Sequence, residues 1–438
     1  MTRVTAANLR AFNVGFGDCL LLSITYDDGD VRHALIDFGS SKLPPRAPAS
    51  RMLDVANHIK TATGGTLHMV VATHRHSDHI SGFGRTDSGK VIEAMHPKVV
   101  LQPWTEHPDL DPAATTPVVA ARHPPGHLAL ARTLANMSSF AAGVVSEGRR
   151  LQSVARFPKT VAQRLEFLGE TNLTNRRAVE RLMKMGERHI YASFGDDLDL
   201  GDLFPRVKIE VLGPPTLEQQ PSIAREARED AEEFWHLAGA WGLAAARGSA
   251  TMHDLAPLFA DAVMSRIPQA ARWLIPQIER ANADEMASLL RTMDNVLNNT
   301  SLILLIQIEG TTLLFPGDAQ IENWSYALFD AKNSAAIRKR LADTRVYKVG
   351  HHGSLNATPK TLWKDFAKKA PAEQAAGRLI SVVSTLAGKH GDARRNTEVP
   401  RKALVDALKA QSEFHTTQDC RSTKQPWADI PIPITSAP

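Results

Sequence analysis

Apolar residues in the first hundred positions fall into short runs of strand length, separated by turn formers. Residues 9–14 (Leu9-Arg10-Ala11-Phe12-Asn13-Val14) alternate, residues 19–24 are almost wholly apolar, and residues 34–37 run into Phe38-Gly39. Strands are predicted at all three, because a period of two matches a pleated backbone with one buried face. Between 51 and 61 the period changes: Met52, Val55, Ala56 and Ile59 recur every three to four residues, the spacing of one helix face. An apolar run at 67–72 predicts a buried strand, a helix is expected from about 84 to 95, and Val99-Val100-Leu101 predicts another buried strand.

From about 112 to 189 the strand signals stop. Alanine, leucine and arginine dominate, and residues 129–142 and 176–185 have helical texture. A strand pattern returns at 207–212, closed by Gly213-Pro214-Pro215, and residues 218–298 are again helical in pattern. Two apolar runs, 301–306 and 311–315, flank Glu309-Gly310 and predict a hairpin. Strands at 346–349 and 379–384 enclose a predicted helix at 360–369. Two helical insertions, 112–190 and 216–297, thus interrupt a β-rich framework at about 8–110, 191–215 and 296–420. The tail, 421–438, carries Pro426, Pro431 and Pro433 and is expected to be a loosely ordered strap.

Composition narrows the class only slightly. The 438 residues suffice for one large core plus insertions, and 43% hydrophobic content is ordinary for a globular chain. The formal charge of +4 is weak evidence for any partner. Cys19 and Cys420 are too far apart for a metal or disulfide pattern. No basic–apolar leader and no apolar stretch of about 20 residues is visible, so a soluble, cytoplasmic protein without a membrane partner is expected. From 149 to 188 ten Lys or Arg stand against four Asp or Glu, among them Arg176, Arg177 and Arg181. Solvated helix faces explain such a run simply; a cleft for phosphate backbone is the sharper alternative.

The chemistry concentrates at His74-Arg75-His76-Ser77-Asp78-His79, directly after the apolar run 67–72. Imidazole is the commonest metal ligand, and a carboxylate beside it suits a hard or borderline divalent cation. His74 and His76 point the same way on an extended backbone and can share one ion; Asp78 and His79, past the bend, can reach a second. Asp318 follows an apolar strand through Pro316-Gly317 and can bridge two cations, with a plain turn aspartate as the alternative. His351 and His352 follow the strand 346–349 through Gly350. Adjacent strand residues face opposite sides, so one is expected to ligate and the other to orient a ligand, contact substrate or donate a proton.

The set His74-x-His76-x-Asp78-His79 is the HxHxDH signature of the metallo-β-lactamase superfamily. Leu314-Phe315-Pro316-Gly317-Asp318-Ala319 resembles that family's strand–GDA element. Val349-Gly350-His351-His352-Gly353-Ser354 resembles the HHGS element of its ComEC-type DNA-uptake members. Val14-Gly15-Phe16-Gly17-Asp18, Leu35-Ile36-Asp37-Phe38-Gly39 and Asn298-Asn299-Thr300-Ser301-Leu302 are similar to further segments of that subgroup. The resemblance implies an α+β fold, a four-layer αββα sandwich of two mixed sheets with helices outside and metals at the sheet edge. It also implies two divalent cations, zinc first and manganese as alternative. His74 and His76 would hold one, Asp78, His79 and His351 the other, and Asp318 would bridge them. Asp78, His352 and His390 are the candidate catalytic residues, Ser354 could assist, and Asp18 and Asp37 are candidates for supporting the ligands.

One departure stands out. Most of these hydrolases supply another histidine to the first metal, and here His107, His123, His127, His189, His236 and His253 lack a clear strand-end setting, while Gly213 stands where the subgroup often has histidine. No GxSxG elbow is present, and the scheme needs no serine or cysteine nucleophile. The expectation is a metal-dependent hydrolase, phosphodiesterase or nuclease-like, acting on a phosphodiester, nucleotide or nucleic acid. Alternatives are hydrolysis of a lactone, lactam or thioester, and a metal-stabilised binding or regulatory module. The helical insertions are expected to form a substrate lid, or the interface of a homo-oligomer or larger assembly.

Overall fold

The period-two runs form strands that assemble into two mixed sheets. The computed structural model describes residues 2–109, 142–153, 175–220, 297–354, 358–374, 377–389, 398–422 and 424–435, with scattered positions between 116 and 166 and between 280 and 286. In the seven-stranded sheet β1 (Val4–Phe12), β2 (Cys19–Tyr26) and β3 (Val31–Phe38) are antiparallel neighbours; β4 (Met69–Val71), β5 (Val99–Pro103) and β6 (Arg188–Ala192) continue parallel to β3. In the six-stranded sheet β7 (Val207–Gly213), β8 (Ile303–Ile308) and β9 (Thr311–Phe315) are antiparallel, and β10 (Thr344–Lys348), β11 (Ile380–Val383) and β12 (Glu413–Thr416) run parallel to β9. β13 (Trp427–Ile432) closes the first sheet against β1.

Alternation along each strand sends side chains to two different layers. Leu20, Leu22, Ile36 and Val71 meet Leu304, Ile306, Leu313 and Val346 in one core between the sheets. Their neighbours Leu21, Leu35 and Val70 face outward onto Val55, Ile59, Phe83 and Leu182 of helices Arg51–Ala62, Ser77–Gly84 and Arg176–Leu182. On the other side Ile303, Leu305, Leu314 and Tyr347 pack on Trp324, Leu341, Leu362 and Leu408, also from helices. The fold is therefore a mixed α/β sandwich of two sheets with helices on both outer faces. Among the described residues no helix is long and apolar enough to cross a membrane.

The chain divides into two compact units. One takes in Met1–Ala135, Thr174–Pro221 and Leu297–Pro438, the other Asn136–Leu173 and Ser222–Val296. In the smaller unit residues 142–152 are helical, with Arg149 on Glu166 at 2.7 Å and Arg150 on Glu147 at 2.7 Å. Helix Arg176–Leu182 and β6 belong to the larger unit. Almost all of the predicted helix 129–142 lies outside the described residues.

Several elements differ from the sequence reading. The helix expected from 84 starts at Ser77, within the histidine turn itself, and a second short helix follows at Ser88–Glu93. The tail is not a loose strap over its whole length, since residues 427–432 form β13, with Asp429 accepting hydrogen bonds from Arg10 Nε (2.7 Å) and Asn8 Nδ2 (3.1 Å). Pro431 is tolerated because β13 is an edge strand. β6 and β12 carry no strand signal because each is an edge strand with half-buried rather than alternating positions.

Candidate metal centre

The ends of β3, β4, β9, β10 and β11 meet at one edge of the sandwich. Strand ends of parallel sheets are where an α/β fold can present side chains without breaking its ladders. Here β3 delivers Asp37, β4 leads through Thr73 into His74–His79, β9 leads to Asp318, β10 to His351 and His352, and β11 to Ser384. The β1–β2 loop adds Asp18, whose backbone N–H donates to the Asp78 carbonyl at 2.9 Å. Gly39 permits this closeness, because a Cβ there would lie 2.5 Å from the backbone of Asp78 and of His79.

The predicted residues form two neighbouring groups. His74 Nε2 and His76 Nδ1 stand 2.9 Å apart, both rings buried. Asp78, His79, Asp318 and His352 form a second group whose nitrogen and oxygen atoms lie within 4.8 Å of one another, and such a buried group could hold a metal ion. His79 Nε2 faces Asp318 Oδ2 at 3.2 Å, and His352 Nε2 faces Asp78 Oδ2 at 2.9 Å. The His74 and His79 rings are 4.2 Å apart between centroids, so the two groups are contiguous.

Each histidine of the second group is fixed from behind. His79 Nδ1 donates to Asp37 Oδ2 at 2.7 Å, and Asp37 also accepts from Thr73 N and Thr73 Oγ1, both at 2.8 Å. His352 Nδ1 donates to the Ser384 carbonyl at 2.9 Å. A ring that gives its Nδ1 proton to such a partner presents an unprotonated Nε2 to a metal, the arrangement usual behind ligating histidines. His351 and His352 both have left-handed backbones, φ 43° and 52°. They therefore sit in a tight turn beyond β10, where the strand rule of opposite faces does not apply.

Electrostatics describe a site built around charge. Burial disfavours the His79 imidazolium, yet the Asp318 and Asp37 carboxylates outweigh it and hold its pKa well above the usual value. Burial works against ionised Asp78 as well, and is overcome by the hydrogen bond from His352 and the charge of His79, so its pKa falls. Asp318 is likewise lowered against its burial, by His79 and then His351. His74 goes the other way: burial, then the positive charge of His79 and His76, push it well down.

The residues fit divalent cations. Four carboxylates, Asp18, Asp37, Asp78 and Asp318, are buried here, and the one lysine buried with them is Lys348, 2.5 Å from Asp18 Oδ2. Burying carboxylates without compensating charge is costly. Asp78 Oδ1 and Asp18 Oδ1 are buried with no hydrogen-bond partner, which leaves lone pairs for a cation. Two imidazole nitrogens on one tetrahedral zinc would stand roughly 3.3 Å apart, close to the separation of His74 and His76.

The two adjacent histidines fall in the reverse order to the sequence assignment. His352, not His351, joins Asp78, His79 and Asp318, while His351 is half-buried and approaches Asp318 through its backbone N–H at 3.1 Å. Ser354 is buried one turn on. His390 lies outside the described residues, as do His123, His127, His236 and His253. His107 and His189 are beside Tyr191, on β6. No larger side chain fits at Gly213, where a Cβ would lie 2.3 Å from Asn323 Oδ1. Lys348 was missed as a site residue, although a lysine inside the apolar run Val346-Tyr347-Lys348-Val349 is a signal of a buried ion pair. Compared with protein-family models and with curated proteins, the chain matches none.

Proposed function

We propose that this protein is a metal-dependent hydrolase of the metallo-β-lactamase type, holding two divalent cations, zinc foremost, and acting on phosphodiesters. The observation that carries the reading is the pinning of His79 by Asp37 and of His352 by Ser384, with each Nε2 turned toward a carboxylate that is itself a ligand candidate. His74 and His76 would hold the first ion and Asp78, His79 and His352 the second, with Asp318 beside His79 the carboxylate available to both. When bound, the cations supply a water nucleophile at neutral pH and stabilise the negative charge that develops on the substrate.

The chain's own residues do the rest. Asp37 and the Ser384 carbonyl accept the Nδ1 protons of His79 and His352 and so leave Nε2 as the nitrogen from which a cation would displace the remaining proton. Lys348 balances Asp18 and holds the loop that supports Asp78 from its backbone side. His351, half-buried and carrying a buried Nδ1 with no partner, is the imidazole left over for the substrate and the natural proton donor to a leaving oxygen. The phosphodiester preference rests on the resemblance of the HHGS and GDA elements to the DNA-uptake subgroup.

The test is a substrate panel on metal-loaded protein: bis-p-nitrophenyl phosphate, p-nitrophenyl phosphate, a lactone and nitrocefin, each with wild type and Asp78→Ala. Turnover of the diester that disappears in a folded Asp78→Ala protein supports the reading. Turnover of the lactone or nitrocefin alone overturns the phosphodiester assignment, and no turnover of any substrate by metal-loaded protein overturns the hydrolase.

A further inference from the structure

On the flank of the helix that carries Asp78 and His79 lies an open pocket of about 510 Å³, lined by Ser40, Lys42, Ser81, Arg85, Asp87 and Arg177 among others. Its volume is in the range of ligand sites. Its charge is one-sided. The carboxylate of Asp87 is already engaged, by Arg85 Nε and Nη2 at 3.1 and 3.3 Å and by the Ser88 N–H at 2.7 Å. Lys42 and Arg177 are exposed and belong to no ion pair among the described residues. Their neighbours in the basic run are occupied: Arg176 pairs with Glu180 at 2.7 Å, and Arg181 donates to the Phe83 and Arg85 carbonyls and to Glu93. Of that run's arginine cluster, Arg177 is the one turned into a cavity.

The position relative to the metal cluster gives the pocket a meaning. Asp78 and Ser81 are spaced i, i+3 on helix Ser77–Gly84 and so lie on one side of it, and Arg85 caps its C-terminal end. At a rise of 1.5 Å per residue, Ser81 lies about 4.5 Å and the helix end at Gly84 about 9 Å along the axis from Asp78. Successive phosphates of one strand project about 3.4 Å apart along a duplex axis. The pocket thus begins within a few nucleotides of a phosphate held at the cluster. Two uncompensated cations suit a phosphodiester oxygen pair better than a neutral group, while the hydroxyls of Ser40 and Ser81 are turned inward onto the Val14 and Ser40 carbonyls.

We propose that this pocket is a subsite for the phosphates flanking the scissile one, so that the substrate is a nucleic-acid strand rather than a small diester. The proposal deepens the phosphodiesterase reading and rests on it for the position of the scissile phosphate. Lys42 and Arg177 contact the strand backbone without reading sequence.

The experiment uses full-length Lys42→Gln/Arg177→Gln protein, with Lys332→Gln/Lys339→Gln, an equal loss of exposed charge near helix Ser334–Ala342, as control. Binding of a fluorescent single-stranded oligonucleotide is followed by anisotropy across a salt series, beside bis-p-nitrophenyl phosphate turnover. The pocket variant should bind about ten- to a hundredfold more weakly, with the slope of log K against log salt smaller by about 1.4, two contacts at about 0.7 each. Its turnover of the small diester should equal wild type, and the control variant should bind as wild type does. Unchanged affinity and slope in the pocket variant overturn the proposal, as does an equal loss in the control. If a mononucleotide loses as much affinity as the oligonucleotide, the pocket takes a terminal phosphate and the flanking-subsite assignment falls. Should wild type turn over no diester while the slope change persists, the hydrolase reading fails and the pocket stands.

Discussion

Replacing Asp37 by asparagine tests the tautomer logic of the site with the smallest possible change of shape. Three donors converge on that carboxylate: Thr73 N–H, Thr73 Oγ1 and His79 Nδ1, at 2.8, 2.8 and 2.7 Å. Asparagine retains one oxygen, which can still accept from the Thr73 N–H, but puts an NH₂ where the second oxygen met Thr73 and His79. A donor facing a donor is relieved if His79 shifts its proton, accepting at Nδ1 and carrying hydrogen on Nε2. That nitrogen is the one aimed at Asp318, 3.2 Å away, and a protonated Nε2 cannot bind a cation. Loss of such a supporting partner typically lowers metal affinity about 10- to 100-fold, or about 1.4–2.7 kcal/mol. Asp37→Ala would be a poorer test, because three orphaned buried donors cost about 1–3 kcal/mol each, a loss of stability that would mask the loss of the site. The assay is competition for zinc against a fluorescent chelator at pH 7.5, with a thermal melt on the same sample. An Asp37→Asn protein that binds zinc as tightly as wild type would refute the role given to Asp37.

Three further outcomes follow from the packing. Lys348→Met leaves Asp18 charged and buried, so it should destabilise by about 3–5 kcal/mol in urea titrations, whereas Lys348→Met/Asp18→Leu should recover much of that loss; strictly additive single effects would contradict the pairing. Gly39→Ala drives a Cβ to 2.5 Å from the Asp78 and His79 backbone and should lower metal content, read by mass spectrometry of the purified protein, more than it lowers the melting temperature. Burial, and then the charge of His68, push His33 down to about 4. The unfolded chain therefore takes up that proton first as pH falls, so its contribution is present above about 6.5 and lost between about 6.5 and 4, up to about 2–3 kcal/mol. His33→Asn should flatten this acid limb of the stability curve; an unchanged limb would show that His33 is not its source.

How much of this was legible in the sequence follows from where each signal lives. Strands with one face in the shared core, such as β2, β3, β8 and β9, declared themselves by composition because burial demands apolar runs. Edge strands β6, β12 and β13 did not, since most of their residues are only partly buried or exposed and they tolerate Pro431 and charged positions. The candidate ligand turn at His74–His79 was visible because a run of that kind has little structural excuse. The order of His351 and His352 was not, because it depends on two left-handed residues that local sequence does not dictate. The supporting roles of the Ser384 carbonyl and Lys348 were hidden for a different reason. Both are set by contacts across more than thirty residues of chain, Ser384 with His352 and Lys348 with Asp18.

The central claim is that the buried histidines and aspartates hold two cations. The most direct measurement is the metal content of purified, buffer-exchanged protein by plasma mass spectrometry, for wild type, Asp318→Ala and His352→Ala, each verified as folded by circular dichroism. Two divalent ions per chain in wild type, at most one in His352→Ala and a loss at both sites in Asp318→Ala are the predicted result. A folded wild-type chain that retains no divalent metal, and takes up none when titrated with zinc or manganese, would contradict it.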